Sequence, residues 1–414
     1  MKKVVVIGGG VIGLCTAYYL QKEGCEVIVV DQSTMDFGAS YVNAGYVSPS
    51  HIIPLAAPGV VKQGLKWMFD SSSPLFIKPR LDKNFMDWAW AFNKSCTVTN
   101  IEKSIKSIKN IALLSSDLFT EIKASEGFTF HLENKGLLML CKTEAMLEKE
   151  RKVIKTASEE GLEAKEISIE ELQKLEPNVK LDIIGATHYQ CDWHTTPSEF
   201  MNEMKNYLEN NGVVFYKNEH VLDFKVNNQK ITQITTSSQV ILADEFVLAA
   251  GSWSNLLSKK IGIKIPLQAG KGYRINSNKP TGITIPAILA EAKVAVTPMN
   301  GFTRYAGTME IAGINHVIRP ERVNAIANAI NKYYPDVFVA EEDKKNAACG
   351  LRPVSPDGRP YIGKSLKCKN LTIATGHAMM GWSMAPATGK LISEIIIDKN
   401  LSMDILPFHP DRKF

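Results

Sequence analysis

The chain has 414 residues, 45% of them hydrophobic, and a formal charge of +5 from 48 basic and 43 acidic residues scattered without long blocks of either sign. That length allows two or three domains with a sizeable core, and so mild a charge excludes nucleic-acid binding as the leading class. No stretch approaches the roughly 18 apolar residues of a membrane span, and the seven cysteines show no CxxC, so neither a disulfide framework nor a metal site is expected and the compartment reads as reducing and cytoplasmic.

The first element is the apolar run Val4 to Ile7, followed by a glycine turn, a helical stretch from Val11 to Glu23, a turn at Gly24 and a second apolar run from Val27 to Val30 that ends on Asp31. Gly8, Gly10 and Gly13 fit G-x-G-x-x-G. In that motif the first glycine makes the tight turn, the second lets a pyrophosphate approach the backbone, and the third packs helix on strand. Asp31 stands where an acid holds ribose hydroxyls. Lys2 and Lys3 precede the first strand and do not open a signal peptide.

Residues 37–59 form a loop rich in Gly, Ala, Ser and Pro and poor in charge, a composition that predicts ligand contact. The aromatic stretch 60–92 follows, with Trp67, Met68, Phe69, Phe76 and the stripe Phe85, Trp88, Phe92. It reads either as substrate-domain core or as an apolar face for a membrane or a quinone. A long amphipathic helix is predicted over 101–123, a strand over 136–140 and a charged helix over about 143–160. From Pro197 a helix runs to Asn210, then come the strand VVFY and the strand FVLAAG ending at Gly251, as if the first domain resumed. Between about 263 and 345, short strands with Pro and Gly turns predict an antiparallel sheet with one helix near 320–333.

Two later segments carry chemistry. In TGHAMMGWSMAPATGK a strand ends at Thr375, Gly376 to Ser383 form a loop, and a helix starts with Pro386 in its first turn. The free N–H groups and positive dipole end of such a helix, aimed at a flavin's pyrimidine edge, would stabilise the charge of the reduced ring. Arg352, in the otherwise neutral segment GLRPVSPDGRP, has the planar fork that grips a carboxylate; the competing reading bonds it to loop carbonyls or to a nearby acid such as Asp357. Arg359 reads as structural.

GGGVIG with Asp31, VNAGYVSP at 42–49, the AAG of FVLAAG, GLRPVSPDGRPYIG and TGHAMMGWSMA together resemble the D-amino-acid oxidase/glycine oxidase superfamily of FAD-dependent enzymes. Within it, PLAAPG, GLKWMF, SSSPLFIKPRLD, MDWAWAFNKSC and KGYR are similar to bacterial D-amino-acid dehydrogenases, over essentially the whole chain. The resemblance implies an α/β, Rossmann-like (glutathione-reductase-like) FAD domain from 1–51, 191–262 and 346–414. It also implies an α+β substrate domain, on a mainly antiparallel sheet with helices, from 52–190 and 263–345. Carried onto this sequence, it assigns non-covalent FAD to Gly8, Gly10, Val11, Ile12, Gly13, Asp31, Gln32, Asn43, Ala44, Gly45, Val221, Ala250, Gly251 and the loop Gly376, Gly381, Trp382, Ser383, Met384. Val221 would contact the adenine side through its backbone.

Arg352 would bind the substrate carboxylate, with Tyr273 as second donor, His51 and His377 near the substrate and Met380 a pocket wall. Cys349 lies where some relatives attach flavin covalently, but its motif follows the non-covalent pattern. The implied reaction is oxidative deamination of a D-amino acid by hydride transfer from the α-carbon to flavin N5, which needs no obligatory side-chain base, with orientation carrying most of the catalysis. Electrons would pass to a quinone or other carrier, and 60–92 would be the contact if the protein sits peripherally on the inner membrane. Glycine, sarcosine or D-hydroxyproline as substrate remains open, as does a 2-hydroxy acid, which would call for a histidine base.

Overall fold

The computed structural model describes residues 1–61 and 74–414; Trp67, Met68 and Phe69 lie outside them, and with them part of the 60–92 reading. The apolar runs recognised at the N-terminus become the centre of a parallel sheet. Its order is Val214–Tyr216, Glu26–Val30, Lys3–Ile7, Glu245–Leu248 and Leu371–Thr375, with Tyr361–Lys364 antiparallel at the edge. Strands buried on both faces must be continuously apolar, which Val4, Val5 and Val6 satisfy. One face packs Leu14 of helix Val11–Lys22, Leu118 of helix Val98–Ala124, Phe200 of helix Pro197–Asn210 and Leu391 of helix Ala385–Ile396 into one core. On the other face, Phe224 and Ile234 of an antiparallel meander (Val221–Asn227, Lys230–Thr236, Val240–Leu242) meet Ile28 and Phe246.

Among the described residues the second sheet has nine strands. Eight run in the order Ala348–Val354, Gln268–Ser277, Phe302–Ile311, Val294–Met299, Ala287–Leu289, Leu137–Cys141, Gly185–Tyr189 and Ala164–Ile167, and Leu75–Ile77 joins Phe302–Ile311 in parallel. Apart from that pair and the parallel pair Ala287–Leu289 with Leu137–Cys141, the pairings are antiparallel. Helix Pro320–Tyr333 packs Ile326 and Ile330 on one side, and helix Glu144–Glu159 packs Leu147 and Ala157 on another part. Helix Lys83–Ser95 sets Trp88 and Phe92 against Val354 and Met309, with Trp88 Nε1 donating to the Val354 carbonyl.

Two details differ from a division of the chain at 52 and 346. Helix Val98–Ala124 buries Ile108, Ile111 and Phe119 in the core of the first sheet, because its apolar stripe meets helix Ala385–Ile396. Strand Ala348–Val354 completes the second sheet before the chain returns to the first. A third, three-stranded sheet pairs Tyr46–Val47 and Leu132–Glu133 with Trp193–Thr195.

Candidate active site

Strand Lys3–Ile7 ends in a turn that only glycines can make. Gly8 has φ +114°, and a Cβ there would overlap the Ala249 carbonyl; a Cβ at Gly13 would overlap the carbonyl of Gly8. Gly13 therefore serves close helix–strand packing and does not line the cavity above the turn, whereas Gly8, Gly10, Val11 and Ile12 do. Asp31 closes the far side, accepting from the Gly9 N–H at 2.6 Å, the Ser33 N–H at 2.8 Å and the Ser33 hydroxyl at 2.6 Å. Gln32 and Val221 stand beside it, brought there because the backbone N–H of Glu219 donates to the Asp31 carbonyl at 2.8 Å. Ala250 and Gly251 continue the rim from strand Glu245–Leu248. Ser40, which no motif marks, donates order rather than chemistry: its Oγ accepts from the Val11 N–H at 2.9 Å and pins the loop to the helix start.

This cradle is part of one cavity of about 1190 Å³, whose remainder, the substrate chamber, is lined by His51, Arg352 and His377. Asn43 and Ala44 line the junction. Their loop is held by Arg304, a buried cation whose Nη1 donates to the carbonyls of Tyr41 at 2.9 Å and Asn43 at 2.6 Å, and which burial pulls down to about 9. Gly45 is displaced from the cavity; its φ of +80° and its contact with the Thr195 carbonyl explain the glycine. Gly376 likewise sits under the Tyr361 ring, outside the lining, with φ +81°.

The loop before helix Ala385–Ile396 lines the cavity through His377, Met380, Gly381, Trp382 and Ser383, and Met384 does not reach it. The Trp382 ring turns inward, 6.2 Å from Phe119 and stacked on it, with Nε1 donating to Thr195 Oγ1 at 2.9 Å. The indole is thereby packed into the core, while the residue still lines the cavity as the loop reading expects. Ser383 donates to the Tyr46 carbonyl at 2.8 Å and accepts from the Ser48 N–H at 3.2 Å, clamping the two cavity loops.

At the chamber's far wall lies Arg352, paired in register with Gly270 and resting its guanidinium over Gly272, where a Cβ would collide with it. Nη1 donates to the Thr308 carbonyl at 3.0 Å. Thr308 is a β-branched residue at φ 63°, a conformation costing about 1–3 kcal/mol. Burial draws the Arg352 pKa down to about 10, and no carboxylate among the described residues pairs with it. Asp357 is taken by Arg359 at 2.9 Å and Arg412 at 2.8 Å, so Arg359 is structural and Arg352 faces the cavity as an uncompensated cation.

Tyr273 reaches the cavity edge, but its hydroxyl donates to Glu310 Oε2 at 2.9 Å. Strand alternation explains this: Gly272 and Arg352 share the cavity face, while Tyr273 and Ile275 join the opposite core. The expectation of Tyr273 as a second carboxylate donor is therefore corrected. Cys349 is the register partner of Tyr273, packs on that same core and donates to the His316 carbonyl at 3.6 Å, away from the cavity lining.

Both predicted histidines line the chamber. His377 is buried, with Nε2 3.0 Å from Thr388 Oγ1 and Nδ1 lacking a partner among the described residues; burial lowers its pKa to about 3. His51 lies 3.4 Å from Ser50 Oγ and 3.9 Å from Asp192 Oδ2, and burial followed by the charge of Lys293 lowers it to about 4. Asp192 is fully buried, and burial raises it to about 7 against the hydrogen bonds from Ser50. A carboxyl raised above its unfolded value adds stability below about pH 4 that is lost as pH rises through 7. Asp192→Asn is accordingly expected to flatten the pH dependence of Tm between about pH 4 and 7; an unchanged slope in thermal melts would contradict this.

A glycine cradle on a parallel sheet, continuous with a cavity that a buried arginine also lines, marks a dinucleotide-binding enzyme. The family model described as DAO, FAD dependent oxidoreductase, matches residues 3–395, and the chain belongs to this family. It is 31% identical over 401 residues to the D-amino acid dehydrogenase of Vibrio vulnificus (strain CMCP6), covering 95% of each chain. It is 30% identical over 411 residues to that of Granulibacter bethesdensis, covering 97% of each. The fold superposes on glycine oxidase from Geobacillus kaustophilus with a TM-score of 0.79 at 20% identity, over 100% of both chains. With L-proline dehydrogenase from P. horikoshii the TM-score is 0.76 at 19% identity, over 99% of this chain and 96% of that one.

The protein is thus an FAD-dependent oxidoreductase, and the residues present fit the cofactor. Gly8 and Gly10 leave room for a pyrophosphate, and Asp31, with Oδ2 accepting only from Gly9 among the described residues, keeps one lone pair there for ribose. Sequence reasoning missed Gly9, Ser40, Arg304, Gly272 and Thr308. Only Gly9, inside the fingerprint, carried a local signal; the others act across distances in sequence that no motif spans. Among the described residues, no helix is long and apolar enough to cross a membrane.

Proposed function

We propose that the protein oxidises D-amino acids to 2-oxo acids and ammonia and passes the electrons to a quinone or other carrier. The observation that carries this reading is Arg352, a buried cation without a carboxylate, set at the far wall of the cavity that begins at the dinucleotide cradle. Bound FAD supplies the acceptor for the hydride that leaves the substrate α-carbon. Arg352 grips the α-carboxylate with its planar fork, and the rigid Gly272 and Thr308 beneath it fix where the α-carbon stands. His51 and His377 are uncharged near neutral pH, so neither repels a substrate ammonium that must lose its proton to water before oxidation. The imino acid then leaves and hydrolyses. The naming of the 30–31% identical relatives as D-amino acid dehydrogenases supports both the D-configuration and a non-oxygen acceptor.

The reading extends to 60–92 as a peripheral contact, where Leu81, Met86 and Trp90 are exposed apolar side chains. A second reading rests on His51: an unprotonated imidazole in the chamber is the base that a 2-hydroxy acid would need. Turnover of D-alanine and D-lactate with a soluble quinone or with oxygen separates these. The expected result is pyruvate and ammonia from D-alanine, faster with quinone. Pyruvate from D-lactate alone would favour the second reading.

A further inference from the structure

Beside the cavity, the small sheet brings together three side chains that the oxidation does not use. We propose that His131, Glu133 and His194 form a binding site for a divalent transition metal of the zinc type, which clamps strand Leu132–Glu133 to strand Trp193–Thr195. Glu133 and His194 are register partners across the ladder, and His131 lies one residue before it. Nε2 of His131 is 3.6 Å and Nε2 of His194 is 3.7 Å from Glu133 Oε2. These separations are close to the edge of a zinc tetrahedron, about 3.4 Å for metal–ligand bonds near 2.1 Å. One ligand atom from each of the three lies within 4.8 Å of the others.

A second, independent observation points to a ligand. His194 is fully buried, and neither of its ring nitrogens has a hydrogen-bond partner among the described residues. Burying a polar ring unpaired is costly, and a metal on Nε2 would satisfy one of its two nitrogens. For His131, Nδ1 lies 3.1 Å from Thr196 Oγ1; a hydroxyl that accepts the Nδ1–H leaves the Nε2 lone pair free, the outer-shell arrangement common to metal-bound histidines. Lys135 competes, its Nζ lying 2.7 Å from Glu133 Oε2, but it is half-exposed and can swing into solvent.

The site adjoins the cofactor region. Thr195, next to His194, accepts from Trp382 Nε1 on the cavity loop and donates to the Gly45 carbonyl. Metal in the small sheet would therefore stiffen the support of that loop without touching the cavity. Spacing gave no hint of it, because the ligands come from two strands about sixty residues apart.

The test uses the FAD-loaded protein stripped with chelator and titrated with zinc chloride against a chromophoric competitor, then with cobalt to read the intense absorption of a tetrahedral site. One equivalent should bind and raise Tm. Glu133→Gln and His131→Ala should each weaken binding by more than the roughly 10- to 100-fold that loss of an outer partner costs. Lys135→Ala should tighten it, an effect that a purely structural role for Lys135 would not produce. Flavin content and circular dichroism verify each fold, and Glu133→Gln alone decides should His131→Ala misfold. Absence of stoichiometric binding, or binding unchanged in Glu133→Gln, overturns the proposal.

Discussion

Arg352→Ala is expected to lower kcat/KM for amino acids by about 10²- to 10⁴-fold while flavin stays bound at full occupancy. Removing one partner of a buried, hydrogen-bonded charge pair costs about 2–5 kcal/mol, and each 1.36 kcal/mol is tenfold in rate. The same substitution should leave Tm unchanged or raise it, since among the described residues the cation is buried without a carboxylate and its one hydrogen bond is to the Thr308 carbonyl. That opposite sign separates a residue kept for substrate from one kept for folding. Arg352→Lys should recover only part of the loss, because an ammonium cannot present the bidentate fork. Gly272→Ala keeps the guanidinium but places a methyl where it rests, and should reproduce much of the defect. Steady-state kinetics with flavin absorbance on the same samples measure all of this.

Gly8→Ala is expected to yield protein without flavin. The residue sits at φ +114°, and its Cβ would meet the carbonyl of Ala249. The backbone conformation alone costs about 1–3 kcal/mol for a non-glycine residue, and the clash is with main chain at the centre of the sheet, which cannot yield without moving strand Glu245–Leu248. Gly24→Ala provides the control: φ there is +77° but nothing lies within 4 Å of a Cβ. It should cost stability from strain and retain the cofactor. The ratio of flavin to protein absorbance after purification distinguishes the two, and flavin at wild-type level in Gly8→Ala would contradict the cradle assigned to it.

Much of this architecture is legible in the sequence, for physical reasons. Fully buried parallel strands must be runs such as VVVI and VIVV, and a pyrophosphate turn must be glycine, so local composition announces both. The helix over Ala385–Ile396 and the placing of Arg352 on the cavity wall followed from a loop that was too apolar for a surface and an arginine in an otherwise neutral segment. The hydroxyl of Tyr273 turns to Glu310 and the ring of Trp382 to the core for a shared reason. Which face a strand residue takes depends on register, here altered by an irregularity between Lys271 and Tyr273, and a large aromatic in a ligand loop chooses between ligand and core by packing that the sequence does not display. Gly13, Gly45, Gly376 and Met384 belong to the right motifs but serve close packing beneath the cavity. Arg304, Gly272 and Thr308 were invisible because each matters only through a partner more than forty residues away.

Anaerobic mixing with matched D- and L-amino acids, glycine, D-proline and D-lactate, followed at the flavin absorbance, tests the central claim most directly. The account predicts rapid bleaching by one or more D-amino acids, none by their L-enantiomers, and loss of that bleaching in Arg352→Ala at the same substrate concentration. A flavin that stays oxidised with every D-amino acid, or that Arg352→Ala reduces as fast as wild type, would contradict it.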